Sequence, residues 1–160
     1  MKKICAAILI GLATIAFTSG AGAASTAATA SYRLAKQLAD TGYQRAHEQC
    51  IALSEGPSAV CVAEAEAVRT RAKSSAKVQY KGTRQAHAHA RIAVANADYA
   101  VAKAKCESHT GKDKDVCLQE AATIHVAIRA NGKADKKIIA ARNEAVKETA
   151  DANLKLALPK

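Results

Sequence analysis

Cys50-Ile51-Ala52-Leu53-Ser54-Glu55-Gly56-Pro57-Ser58-Ala59-Val60-Cys61 returns 56 residues later as Cys106-Glu107-Ser108-His109-Thr110-Gly111-Lys112-Asp113-Lys114-Asp115-Val116-Cys117. Both stretches spell Cys-x10-Cys, and both hold a helix breaker at the middle, Glu55-Gly56-Pro57-Ser58 in one and Thr110-Gly111-Lys112-Asp113 in the other. Glycine suits the left-handed residue that ends a helix, proline cannot continue one, and Ser58 and Asp113 can cap the next. Two helices are therefore expected to fold back at each site. In an antiparallel hairpin, residues equidistant from the turn face each other. This predicts Cys50 with Cys61 and Cys106 with Cys117, against the two other connectivities and against free thiols. Closing a loop of about 12 residues contributes roughly 3 kcal/mol on the chain-entropy account.

Outward from the cysteines, Tyr43 matches Tyr99, Ala46 matches Ala102, Glu64 matches Glu120, Ala65 matches Ala121 and Val68 matches Ile124. The chain reads as one helical domain over 24–160 with an internal duplication, about 43–98 and 99–154. Composition points the same way. Of 160 residues 40 are Ala, Trp is absent, and Phe and Met occur once each. So few large apolar side chains cannot fill a conventional core, whereas Ala, Lys, Arg, Glu and Gln are strong helix formers. On a helical wheel Tyr32, Ala35, Ala39, Tyr43, Ala46, Cys50 and Leu53 share one face, and Cys61, Ala65, Val68, Ala72 and Gln79 are mirrored by Cys117, Ala121, Ile124 and Ile128. The expected fold class is all-α, an elongated antiparallel three-helix bundle or coiled coil built from two disulfide-stapled helical hairpins. It has one long helix over 59–108, because a lone glycine at Gly82 costs only about 1 kcal/mol, and a third over 114–157. The competing arrangement breaks the chain at Gly82 and at Asn131-Gly132 into five shorter helices.

The N-terminus places Met1-Lys2-Lys3 before an apolar run from Ile4 to Phe17 and the small residues Thr18 to Ala23. This is the pattern of a secretory signal peptide over 1–23, cleaved after Ala23, with Ala30 as the second choice. The run is short for a membrane span, so no transmembrane segment is expected after cleavage. The expected location is periplasmic or secreted. Cleavage removes Lys2, Lys3 and Cys5, leaving 22 basic against 14 acidic residues, a net charge of +8, and four cysteines for an oxidising compartment.

The pattern Tyr43-x6-Cys50 to Val60-Cys61-Val62-Ala63-Glu64-Ala65, repeated as Tyr99-x6-Cys106 to Val116-Cys117-Leu118-Gln119-Glu120-Ala121, resembles small exported Ala-rich envelope proteins of proteobacteria, often labelled TolA-like. The likeness covers most of the mature chain, and its TolA part is one of composition, a long Ala/Lys/Glu helix. It implies an uncharacterised envelope protein and carries over no catalytic residue.

For chemistry, one candidate is metal. His47, Cys50 and Cys61 approach across the first turn, and Cys106, His109 and Cys117 across the second, as soft and borderline ligands for zinc or copper. An oxidising compartment and the non-equivalent histidine positions argue against it, and no cofactor is expected. His87 and His89, two apart on a helix, point to different faces. No nucleophile elbow, zinc-protease, P-loop or dinucleotide signature occurs, so no enzyme is expected. The most informative polar feature is a run without Asp or Glu from Arg69 to Arg91. On a continuous helix Arg69, Lys73, Lys77, Lys81, Arg84 and Arg91 form one ridge, with Arg71 off it. A solvated face is the plain explanation; attraction to a polyanion is the functional one. Export argues against nucleic acid, leaving an anionic envelope component: lipopolysaccharide, phospholipid or an acidic protein. The expected function is thus a non-catalytic binding or scaffold protein, with a Cys/His metal-binding or redox-responsive protein as the alternative.

Overall fold

The computed structural model describes residues 21–157, with side chains from residue 25 onward. Almost all of this is helix: α1 (Ala21–Ile51), α2 (Glu55–Lys81), α3 (Arg84–Cys106) and α4 (Gly111–Ala157), with no strand among the described residues. The signal peptide expected over 1–23 falls mostly outside the described residues. No helix among those described is long and apolar enough to cross a membrane.

Both local disulfides form as the repeated spacing predicts. Cys50 and Cys61 have Cα atoms 5.4 Å apart, and Cys106 and Cys117 5.7 Å. Each bridge ties two antiparallel helices across a short connection, and Cys50 and Cys106 are each only 1% exposed. The capping differs from expectation. In the first hairpin Ser54, not Ser58, is the residue before α2, so Gly56 and Pro57 lie in the first helical turn, where proline's missing N–H leaves no hydrogen bond unmade. In the second, α4 starts at Gly111, whose φ of 55° is left-handed, and Asp113 lies in the first turn, facing the positive end of the helix.

The long helix expected over 59–108 is absent, and four helices replace three. Gly82, at φ 59° and ψ 18°, ends α2 with its N–H donating to the Val78 carbonyl, and the Thr83 hydroxyl accepts from the Ala86 N–H to start α3. A left-handed stop beside a capping side chain outweighs the small cost of a glycine inside a helix. The turn also lets α3 fold back along α2, matching Glu64 with Lys105 and Arg71 with Asp98 in antiparallel order. The expected alternative break at Asn131-Gly132 does not occur; α4 runs through it.

Only helices adjacent in sequence pack on each other: α1 on α2, α2 on α3, and α3 on α4. The bundle is therefore an open antiparallel row. Both disulfides lie at one end of it and the Gly82 turn at the other. Because α2 and α3 have neighbours on two sides, each needs two small-residue stripes, and the core consists of Ala65, Ala67, Ala76, Ala86, Ala88 and Ala95 with the two cysteines. The single-seam expectation misplaced Val68 and Ile124, which are 63% and 61% exposed. Gly132 is buried where α4 packs against Ile92 of α3.

Candidate functional site

Breaking the helix at Gly82 breaks the basic ridge. Arg69 and Lys73 turn toward α1, where both donate to Asp40: Arg69 Nε to Oδ1 at 2.6 Å, and Lys73 Nζ to Oδ1 at 2.8 Å. Arg69 also reaches Glu66 at 3.1 Å and lies 5.0 Å over the Tyr43 ring. The hydrogen bonds from Lys73 and Arg69 hold the Asp40 carboxyl below its ordinary range, and those from Asp40 and Glu66 hold the Arg69 guanidinium above its own. Arg91 is on α3 and pairs with Asp135 of α4 at 2.6 Å. Three of the six ridge cations are therefore spent on holding helices together. Lys77, Lys81 and Arg84 form no ion pair among the described residues.

Four of the six, paired and unpaired alike, are divided between two grooves, and Lys81 lines neither. Lys73 and Lys77 of α2 line a groove of about 330 Å³ between α1 and α3, together with Tyr32 and Lys36 of α1, Ser74 of α2 and His89 of α3. Arg84 and Arg91 line another, of about 250 Å³, between α3 and α4, with His87, Asp135, Ile138 and Ile139. His87 and His89 are about 200° apart on their helix, so the grooves open on different sides of α3. The first carries the cleaner positive charge, since no Asp or Glu lines it, whereas Asp135 sits in the second.

At the Gly82 end an aromatic pair braces the first groove. Tyr32 and Tyr80 stack with ring centres 4.8 Å apart and planes 10° from parallel; Lys36 lies 5.6 Å over Tyr32 and Lys81 5.3 Å over Tyr80. These contacts hold Lys36 in the groove wall and Lys81 on the aromatic pair beside it, and exposed cation–π pairs are worth about 0.5–1 kcal/mol. Ammonium groups, an imidazole and a hydroxyl around one concavity suit charge-assisted hydrogen bonds to an oxyanion.

The sequence places Tyr32 on the apolar face of the first helix and His89 on a face apart from His87, and gives neither of them, nor Lys36, a role in a site. The signal was present: the register that brings Cys50 to Cys61 also brings Tyr32 to Tyr80 and Asp40 between Arg69 and Lys73. Extending the hairpin rule from cysteines to charged and aromatic residues exposes both sets. The metal alternative loses its thiolates, because Cys50, Cys61, Cys106 and Cys117 are all in disulfides. His47 instead packs near Tyr43, and no group of three or more His, Cys, Asp or Glu side chains converges among the described residues. Disulfides of this kind point to an oxidising, extracytoplasmic setting. Compared with family models, curated proteins and solved structures, the chain matches none.

Proposed function

We propose that this chain is a non-catalytic helical binding protein of the periplasm or extracellular space, one that docks phosphate groups of an envelope surface in the groove between α1 and α3. The observation that carries the reading is Lys36 and Lys77 in the wall of a groove lined by no carboxylate, with Lys81 on the stacked Tyr32–Tyr80 pair beside it, none of the three in an ion pair among the described residues. The net charge of +8 left after cleavage of the expected signal peptide adds long-range attraction. The likeness to exported TolA-like proteins and the N-terminal export pattern accord with it.

Each exposed contact is worth about 1 kcal/mol or less and is screened by salt, so binding rests on several acting together. Replacing Lys36, Lys77 and Lys81 by Gln should weaken binding to phosphatidylglycerol vesicles about tenfold or more at low salt. Changing Arg45, Lys112 and Lys133 to Gln removes the same charge elsewhere and should leave most of the binding. Equal losses in both triple variants would reduce the effect to net charge, and no vesicle binding by the wild type at low salt would overturn the proposal.

A further inference from the structure

The duplication repeats the cluster around Asp40, but with its acid gone. Adding 56 to Asp40, Tyr43, His47, Arg69 and Lys73 gives Asn96, Tyr99, Lys103, His125 and Arg129. Four of these, Asn96, Tyr99, Lys103 and His125, also come together, and Arg129, one turn along α4, is near enough for its charge to act on His125. Asn96 Oδ1 accepts from the His125 Nε2–H at 2.8 Å, in the place of the Asp40–Arg69 pair. His125 stacks on Tyr99 with centres 4.3 Å apart and planes within 7°, as Arg69 lies over Tyr43, and the Lys103 ammonium is 4.8 Å over the Tyr99 ring.

The geometry is shared and the charge balance is not. Asp40 offers a carboxylate to two cations; Asn96 offers a neutral oxygen and two N–H donors. No carboxylate pairs with Lys103, His125 or Arg129 among the described residues. The Arg129 Nε, moreover, is shielded from solvent without a hydrogen-bond partner, a costly state for a charged donor. We propose that the second hairpin binds an oxyanion from outside the chain, a carboxylate or a phosphate group, at Asn96, Lys103, His125 and Arg129, where the first hairpin carries its own in Asp40.

The titration of His125 accords with a site lacking its anion. Burial, then the charges of Arg129 and Lys103, hold the imidazole below its ordinary value. The groups facing it are Asn96, Tyr99 and Lys103 from α3 and Arg129 from α4. Folding therefore disfavours its protonation, so stability falls as pH drops from the ordinary histidine value toward the folded one. An anion seated there opposes both cationic effects and raises the midpoint.

The test is a titration of the full mature chain with sodium phosphate, and separately with sodium acetate, at ionic strength held constant with sodium chloride. Histidine and asparagine side-chain resonances are followed by NMR. Saturable shifts at His125 and Asn96, with the His125 midpoint moving up, are expected. Saturation by both anions marks a general oxyanion site, and saturation by phosphate alone marks a phosphoryl site. Asn96→Asp restores the first hairpin's arrangement, so it should raise the His125 midpoint without added anion and weaken phosphate binding at least tenfold. Lys103→Gln, an exposed change, should weaken it severalfold. Shifts that track chloride without saturating, or undiminished binding in Asn96→Asp, would overturn the proposal. It stands apart from vesicle docking, since Asn96→Asp leaves Lys36, Lys77 and Lys81 untouched.

Discussion

Gly132 shows how one missing methyl sets the distance between two helices. A Cβ built there would stand 2.6 Å from Cγ1 of Ile92 and 3.2 Å from its Cδ1, closer than packed atoms approach. Its counterpart in the first repeat is Ala76, itself buried, and the residue that matches Ile92 is Lys36, whose long side chain leaves toward the groove. The first hairpin thus tolerates a methyl where the second must lose one to seat a branched side chain. Gly132→Ala gains about 1 kcal/mol of helix propensity but forces an overpacking that typically costs 1–3 kcal/mol. The expected outcome is a net loss of about 1 kcal/mol by thermal melting, relieved in part by pairing the change with Ile92→Ala. A more stable Gly132→Ala would deny the close approach. The asparagine-glycine pair reads as a helix end from sequence because glycine at a cap and glycine at a tight helix crossing are the same letter; only the partner, Ile92, distinguishes them.

At the scale of elements, the two repeats diverge from residue 82 onward. Gly82 corresponds to Ile138, so the first repeat turns back into α3 while the second continues straight in α4. The buried alanines 86, 88 and 95 of α3 become Arg142, Glu144 and Asp151, which cannot form a seam, and residues 141–157 of α4 are all exposed. At 1.5 Å per residue this stretch extends about 25 Å beyond the start of α3. Gly82→Ala places a side chain in the left-handed region, at a cost of about 1–2 kcal/mol. It should lower the melting temperature by a few degrees while the Arg71–Asp98 and Glu64–Lys105 contacts keep α2 and α3 antiparallel. A more extended variant, seen as a larger radius of gyration in solution scattering, would mean that Gly82 alone makes the turn. The hairpins, their disulfides and the all-helical class were legible because Cys-x10-Cys around a breaker leaves a local answer. The Gly82 turn was legible only as the competing break, since propensity weighs a glycine at about 1 kcal/mol and cannot see that Ala86, Ala88 and Ala95 await burial. The ridge failed with it: a wheel drawn through residue 82 aligns Lys81 with Arg84 on a helix that does not exist.

For the whole molecule, an open row makes stability a sum of neighbour contacts, as in repeat proteins. Each buried alanine methyl contributes about 0.8 kcal/mol, whereas each disulfide contributes roughly 3 kcal/mol, so one bridge matches about four core methyls. The outer helices depend on them most, because α1 packs only on α2 and α4 only on α3. Replacing Cys50 and Cys61 by Ser should therefore expose the amides of α1 to hydrogen exchange while those of α3 and α4 stay protected. Replacing Cys106 and Cys117 should do the reverse, loosening α4 and sparing α1. Each pair should lower the melting temperature by about 10 °C, and because the bridges share no helix the losses should add. A closed bundle would behave otherwise, since α1 and α4 would then cover a common core and losing either bridge would raise exchange in all four helices together. Hydrogen exchange on the two double variants separates these cases, and uniform loss of protection in either would contradict the open row.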